Sequence, residues 1–159
     1  MGIGPSTKET SMHLFKDPLL DVLSKDPDID FQGVIIIGTP QSNEMKHLVG
    51  QRTATWLEAM ATDGVVYQQM VGEIQTSILP IPLEEIGCRG LSVIGLKFIG
   101  KQAKFVVEND YTKYVLDFNK SQAGIETEVV GENTITFYDA VKALAFIKLK
   151  MRKDNQKLK

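Results

Sequence analysis

The residues best placed to do chemistry open the chain: Gly2-Ile3-Gly4-Pro5-Ser6-Thr7-Lys8-Glu9-Thr10-Ser11. Glycines let backbone approach a ligand, hydroxyls donate hydrogen bonds, and Lys8 adds positive charge beside a helix start, so the stretch reads as an anion cradle. It is not a Walker A loop, because the Gly-x4-Gly-Lys-Ser/Thr spacing is missing, and no Gly-x-Gly-x-x-Gly follows any predicted strand. The structural alternative is an N-terminal arm that merely caps a helix. A second group, Thr39, Ser42, Asn43 and Glu44, follows the apolar run Val34-Ile35-Ile36-Ile37. Here Ser42 or Asn43 can equally serve as a helix cap. If one pocket joins Ser6, Thr7 and Lys8 to Thr39, Asn43 and Glu44, Lys8 meets a carboxylate and Glu44 an amine. An amino acid carries both groups.

Other reactive side chains are sparse. His13 and His47 have no identified partners and read as structural. Cys88, the chain's one cysteine, stands in Gly87-Cys88-Arg89-Gly90. Arg89 would favour its thiolate, yet a thiol at a helix–strand junction between glycines reads as inert. One cysteine makes no internal disulfide and no cysteine zinc site. Acidic residues at 124–134 read as loop charges and caps rather than as a metal site. No catalytic residue, metal or cofactor is assigned.

The elements that must position these groups follow from hydrophobic patterning. Residues 34–38, β-branched and bounded by glycines, predict a strand buried on both faces. A helix over about 43–62 follows, with Met45, Leu48, Val49, Trp56, Leu57 and Met60 as its apolar residues. Residues 65–67, 91–96, 105–107, 114–118 and 127–130 are further strand candidates, and 83–87 a short helix. Thr136 caps a last helix from 137 to about 152, whose Val141, Leu144, Ala145, Ile147 and Leu149 predict substantial burial. Thr10 or Ser11 is expected to cap a helix over 12–24 that Pro18 interrupts. Alternating strands and helices predict an α/β fold: a three-layer, mostly parallel, Rossmann-like sheet with helices on both faces. Such sheets meet ligands at the carboxyl ends of their strands. The chain is read as one domain over 1–151 with a basic tail over 152–159.

Composition bounds the function. At 159 residues, 43% hydrophobic and net charge −2, the chain carries a core but no basic footprint for nucleic acid. The lysines and arginine between 148 and 159 read as a solvated helix end suited to the macrodipole. No apolar run reaches membrane-spanning length, and no apolar signal segment opens the chain. A cytoplasmic protein with no membrane or nucleic-acid partner is expected.

Several segments together resemble a known family. Gly2-Ile3-Gly4-Pro5-Ser6-Thr7-Lys8-Glu9-Thr10, Phe15-Lys16-Asp17-Pro18-Leu19-Leu20, Ile37-Gly38-Thr39-Pro40, Asn43-Glu44, Gly124-Ile125-Glu126-Thr127 and Val129-Val130-Gly131-Glu132-Asn133-Thr134 resemble the glycine/sarcosine/betaine reductase component B and D-proline reductase family. The likeness spans nearly the whole chain and is nearest to the small proteins that accompany D-proline reductase in amino-acid-fermenting anaerobes. It implies kinship with proproteins that cleave at a cysteine to make a pyruvoyl group, which captures the substrate amine for reduction by a selenocysteine-bearing partner. Cys88 is the candidate for such a cysteine, and its surroundings do not match a processing site. Gln68-Gln69-Met70-Val71-Gly72-Glu73-Ile74-Gln75 also departs from the Gly/Asn-rich stretch of active relatives.

The resemblance therefore implies an accessory or non-catalytic relative, acting in assembly or regulation with D-proline or glycine reductase subunits, in a homo- or hetero-oligomer. The alternatives are a structural subunit of a pyruvoyl-dependent amino-acid reductase, or a small-molecule or anion sensor that uses the N-terminal cradle.

Overall fold

A computed structural model of the chain describes residues 17–38, 40–68, 79–97, 108–118 and 135–154. Helix α1 (Pro18–Lys25) starts where Asp17, in extended backbone, accepts the Leu19 amide at 2.8 Å. Pro18 therefore does not interrupt a helix. It occupies the first helical position, where its missing N–H costs nothing. Leu19 and Leu23, one turn apart, are the buried side of α1.

Residues 31–38 form no regular secondary structure. This corrects the expected strand at 34–38. Val34 and Ile36 are 46% and 60% exposed, while Ile35 packs against the core. β-Branched residues favour extended backbone, but a strand also needs a neighbour to complete its ladder.

Three strands do pair among the described residues: β1 (Gly64–Gln68), β2 (Ser92–Lys97) and β3 (Val115–Asp117), in the order β1-β2-β3. Both pairings are parallel, with Val65 opposite Val93 and Gly95 opposite Val115. The structure is thus a small parallel sheet with helices, consistent with the expected α/β class. Predicted strands at 105–107 and 127–130 lie outside the described residues.

Alternate residues of β2 enter two different clusters. Ile94 and Leu96 pack with Leu19, Leu23, Ala140, Ala143 and Ile147, from α1 and from α4 (Phe137–Lys153). Val93 packs with Ala54 and Leu57 from α2 (Asn43–Ala59), and with Leu83 and Ile86 from α3 (Pro80–Gly87).

Helix α2 faces the other way from its hydrophobic pattern. Its buried residues are Lys46, Gly50, Thr53, Ala54 and Leu57, whereas Met45, Leu48, Trp56 and Met60 are exposed. Close approach to α3 is the reason. A Cβ on Gly50 would stand 3.1 Å from Glu85 Cγ and 3.6 Å from Pro82 Cα. Helices this near accept only small side chains at the contact. The Thr53 hydroxyl satisfies itself on the Val49 carbonyl at 2.8 Å.

Helix α4 begins as expected, with a reciprocal box in which Thr136 Oγ1 accepts the Asp139 amide and Asp139 accepts the Thr136 amide. Its burial differs from expectation, since Val141 and Leu149 are exposed and the inner face is Ala140, Ala143, Ile147, Lys150 and Met151. The basic end is not simply solvated either. Lys148 bridges Asp26 at 2.6 Å and Asp28 at 2.8 Å. Lys150, 7% exposed, donates to Asp154, which also accepts the Ser92 hydroxyl at 2.7 Å. This last bond ties the end of α4 to the start of β2.

Two outcomes follow from these contacts. A Cβ on Gly87 would lie 2.2 Å from Tyr111 Cε1, so Gly87→Ala should cost about 1–3 kcal/mol in urea denaturation through overpacking. In a Tyr111→Ala background the same change should become neutral or stabilising, because alanine is the better helix former.

The second concerns Asp154. Burial pushes its carboxyl up, but the hydrogen bonds from Lys150 and Ser92 outweigh burial and hold it below the usual 3.8. Its contribution is therefore complete above that value and is lost as pH falls through the lower folded one. Asp154→Asn should unfold at lower urea than the parent at pH 7, with the gap narrowing as pH drops below about 4.

Candidate functional site

Chain direction decides where a ligand would be met. Helix α4 ends beside Ser92, the first residue of β2, so its Thr136 end lies toward the carboxyl ends of the strands. Helix α3 ends at Gly87, five residues before β2 begins, which places Pro80 toward the same edge. Helix α2 runs out at Ala59, shortly before β1 starts at Gly64, which places Asn43 there too. Three helix N-termini thus address the edge at which parallel sheets bind ligands.

At the first of these, Ser42 is the cap, accepting the Met45 amide at 3.3 Å. Asn43 is not the cap. Its Oδ1 accepts from Lys46 Nζ at 3.3 Å. Glu44 follows in the exposed first turn, where a carboxylate suits the helix dipole. Of the expected pocket residues, the structure places Asn43 and Glu44 side by side. Ser6, Thr7, Lys8 and Thr39 lie outside the described residues, as does His13.

Two strand-end residues were missed by sequence reasoning. Lys97 closes β2 and Asp117 closes β3, and they are register partners. Their side chains are mostly buried, with Nζ 3.7 Å from Oδ2. The sequence marks neither, because apolar residues continue past both: Phe98-Ile99 after Lys97 and Phe118 after Asp117. The pair sets two opposite, largely buried charges against each other at the carboxyl edge.

The opposite edge holds the cysteine. Cys88 caps the end of α3, its amide donating to the Glu84 carbonyl at 2.8 Å, and it is exposed. The Tyr111 ring lies against Gly87. Burial pushes the Tyr111 phenol up, and its hydrogen bond with Cys88 adds to the shift. Tyr111 is held by a turn in which Asn109 Oδ1 accepts the Tyr111 and Thr112 amides while its Nδ2 donates to the Pro80 carbonyl at 2.9 Å. These residues do not fit a pyruvoyl group. Cleavage before Cys88 would break the α3–β2 connection, at the edge away from the strands' carboxyl ends.

His47 has a structural partner, with Nδ1 3.0 Å from Glu85 Oε1, which also accepts from Gln51 at 3.4 Å. The three tie α2 to α3. Among the described residues no three His, Cys, Asp or Glu side chains are grouped to hold a metal ion, and the acidic stretch at 124–134 lies outside them. Among the described residues no helix is long and apolar enough to cross a membrane.

Fold and edge thus define an α/β protein with a parallel sheet and a polar carboxyl edge. No protein-family profile matches the chain, and no solved structure matches it. A curated protein does: the D-proline reductase proprotein PrdA of Acetoanaerobium sticklandii is 34% identical over 157 residues, which is 98% of this chain and 25% of that protein. The chain spans about a quarter of the length of the curated relative it matches. It is thus related to the glycine/proline reductase family, as its motifs implied.

Proposed function

We propose that the chain is an accessory, non-catalytic relative of the D-proline and glycine reductase subunits, acting in assembly or regulation of such a system during anaerobic amino-acid fermentation. One observation carries this reading: near-full-length similarity to one quarter of a reductase proprotein, in a chain whose single cysteine is an exposed helix cap. Its partners are then reductase subunits, and its compartment the cytoplasm. On this reading the sheet is the centre of a three-layer, Rossmann-like domain over 1–151, followed by a short basic tail.

The amino-acid pocket is part of the same reading. Ser6, Thr7 and Lys8 would join Thr39, Asn43 and Glu44 in one pocket, with Lys8 pairing with a carboxylate and Glu44 receiving an amine. What supports it is the position of Asn43 and Glu44 at the carboxyl edge, on the first turn of a helix.

The purified chain should show one unprocessed mass and take up no carbonyl reagent. A fragment beginning at Cys88 with a pyruvoyl-sized terminus would overturn the non-catalytic reading. Calorimetry with proline and with glycine should show binding that Lys8→Ala weakens about tenfold or more, as loss of a charge-assisted bond requires. Equal binding in both proteins, or none in either, would remove Lys8 from the pocket.

A further inference from the structure

We propose that the outer face of α2 is a self-complementary surface on which a second copy of this chain docks, helix against antiparallel helix. The inference stands apart from the reductase reading and rests on the packing of α2.

The helix is turned inside out relative to its composition. Gly50, Thr53 and Ala54 share its buried side with Lys46 and Leu57, whereas Met45, Leu48, Trp56 and Met60 face outward. Trp56 is 64% exposed, and Met45, Leu48 and Met60 are 45%, 37% and 45% exposed. Trp, Tyr and Met are residues that interfaces gather and free surfaces do not.

The spacing selects the occupant. Leu48, Arg52, Trp56 and Met60 recur every four residues and form one i±4 ridge, the ridge used in the commonest class of helix–helix packing. The row is symmetric about position 54. Reversing it exchanges Arg52 with Trp56 and Leu48 with Met60. In an antiparallel pair about that point, each guanidinium meets the partner copy's indole and each leucine meets a methionine. Arg over Trp is a favourable cation–π pairing. Arg52 makes no ion pair or hydrogen bond among the described residues. A parallel pair, or a two-fold axis through position 52, would set the two guanidiniums against each other. The charge pattern therefore specifies the orientation as well as the partner.

The area suffices for the heart of an interface. Met45, Leu48, Trp56 and Met60 together leave roughly 400 Å² of side chain bare, about half of what one partner contributes to a standard interface. Exposed His47, Gln51, Thr55 and Glu58 flank the row as a polar rim.

Trp56 is the chain's single tryptophan, so its emission reports this face directly. Sedimentation of the full chain from about 1 μM to about 1 mM should show a monomer–dimer equilibrium, with Trp56 emission moving to shorter wavelength as dimer forms. Leu48→Asp and Arg52→Glu, both at exposed positions, should keep the far-ultraviolet circular dichroism and weaken dimerisation about tenfold or more. In a Cys88→Ser background, a mixture of the Arg52→Cys and Trp56→Cys proteins should cross-link more than either alone.

A chain that stays monomeric throughout overturns the proposal. If its Trp56 emission is long-wavelength, the face awaits a different protein. If it is short-wavelength at every concentration, another segment of the same chain covers the face. A dimer indifferent to Leu48→Asp and Arg52→Glu also overturns it, because the contact then lies elsewhere.

Discussion

Burial of β2 on both faces is the constraint on which the rest of the described structure depends. Val93, Ile94 and Leu96 are fully buried, as is Ser92. Fully burying an aliphatic side chain of this size contributes about 1.5–3 kcal/mol, so three in one strand are a large share of a marginal total. Each face needs a cover, and this sets the places of α4 and α1 on one side and of α3 on the other. The strand also dictates what it cannot carry. A Cβ at Gly95 would sit 3.0 Å from Val115 Cγ2 and 3.1 Å from Leu83 Cδ1, so β3 and α3 close over that position only because it is glycine. Ser92 brings a hydroxyl into the same dry environment, and Asp154 satisfies it from the end of α4.

What the sequence revealed of this depended on whether a signal was local. The cap at Thr136 is a local signal and is found as read, and Asp139, three residues on, completes a box with it. The short apolar runs of β1 and β2 are bounded by turn residues, and they are strands at nearly the expected limits. The run at 34–38 has the same local preference but does not pair, because pairing is a property of the neighbour. The face of α2 was misread for a related reason. Hydrophobic periodicity marks where apolar residues are, while the distance to α3 decides which side chains fit. Gly50, Thr53 and Ala54 fit, and the larger residues on the opposite side do not. Lys148 and Lys150 were read as solvated because their acidic partners are remote or weakly signalled: Asp26 and Asp28 lie far away in sequence, and the role of Asp154 depends on its closeness to Ser92.

The candidate site was legible in position more than in membership. Parallel strands followed by helices imply a ligand edge without naming its residues. The structure puts Asn43 and Glu44 at that edge, and it adds Lys97 and Asp117, whose significance depends on a register that pairs residues 20 positions apart. No periodicity reveals that register. Cys88 illustrates the same limit. Its place between glycines at a helix–strand junction reads as inert from the sequence, but only the structure shows that it ends α3 against Tyr111, at the other edge of the sheet.

These placements separate two surfaces that one helix serves. The first turn of α2 presents Asn43 and Glu44 at the carboxyl edge, whereas the row from Leu48 to Met60 runs along its outer side toward the other edge. A helix rises about 1.5 Å per residue, so the middle of that row stands roughly 15 Å from Glu44 along the axis. A contact centred on the level of position 54, on the outer side, therefore leaves the carboxyl edge uncovered. The small residues that hold α2 against α3 are what allow this division, because they commit its inner face to the fold and free its large side chains for the outside.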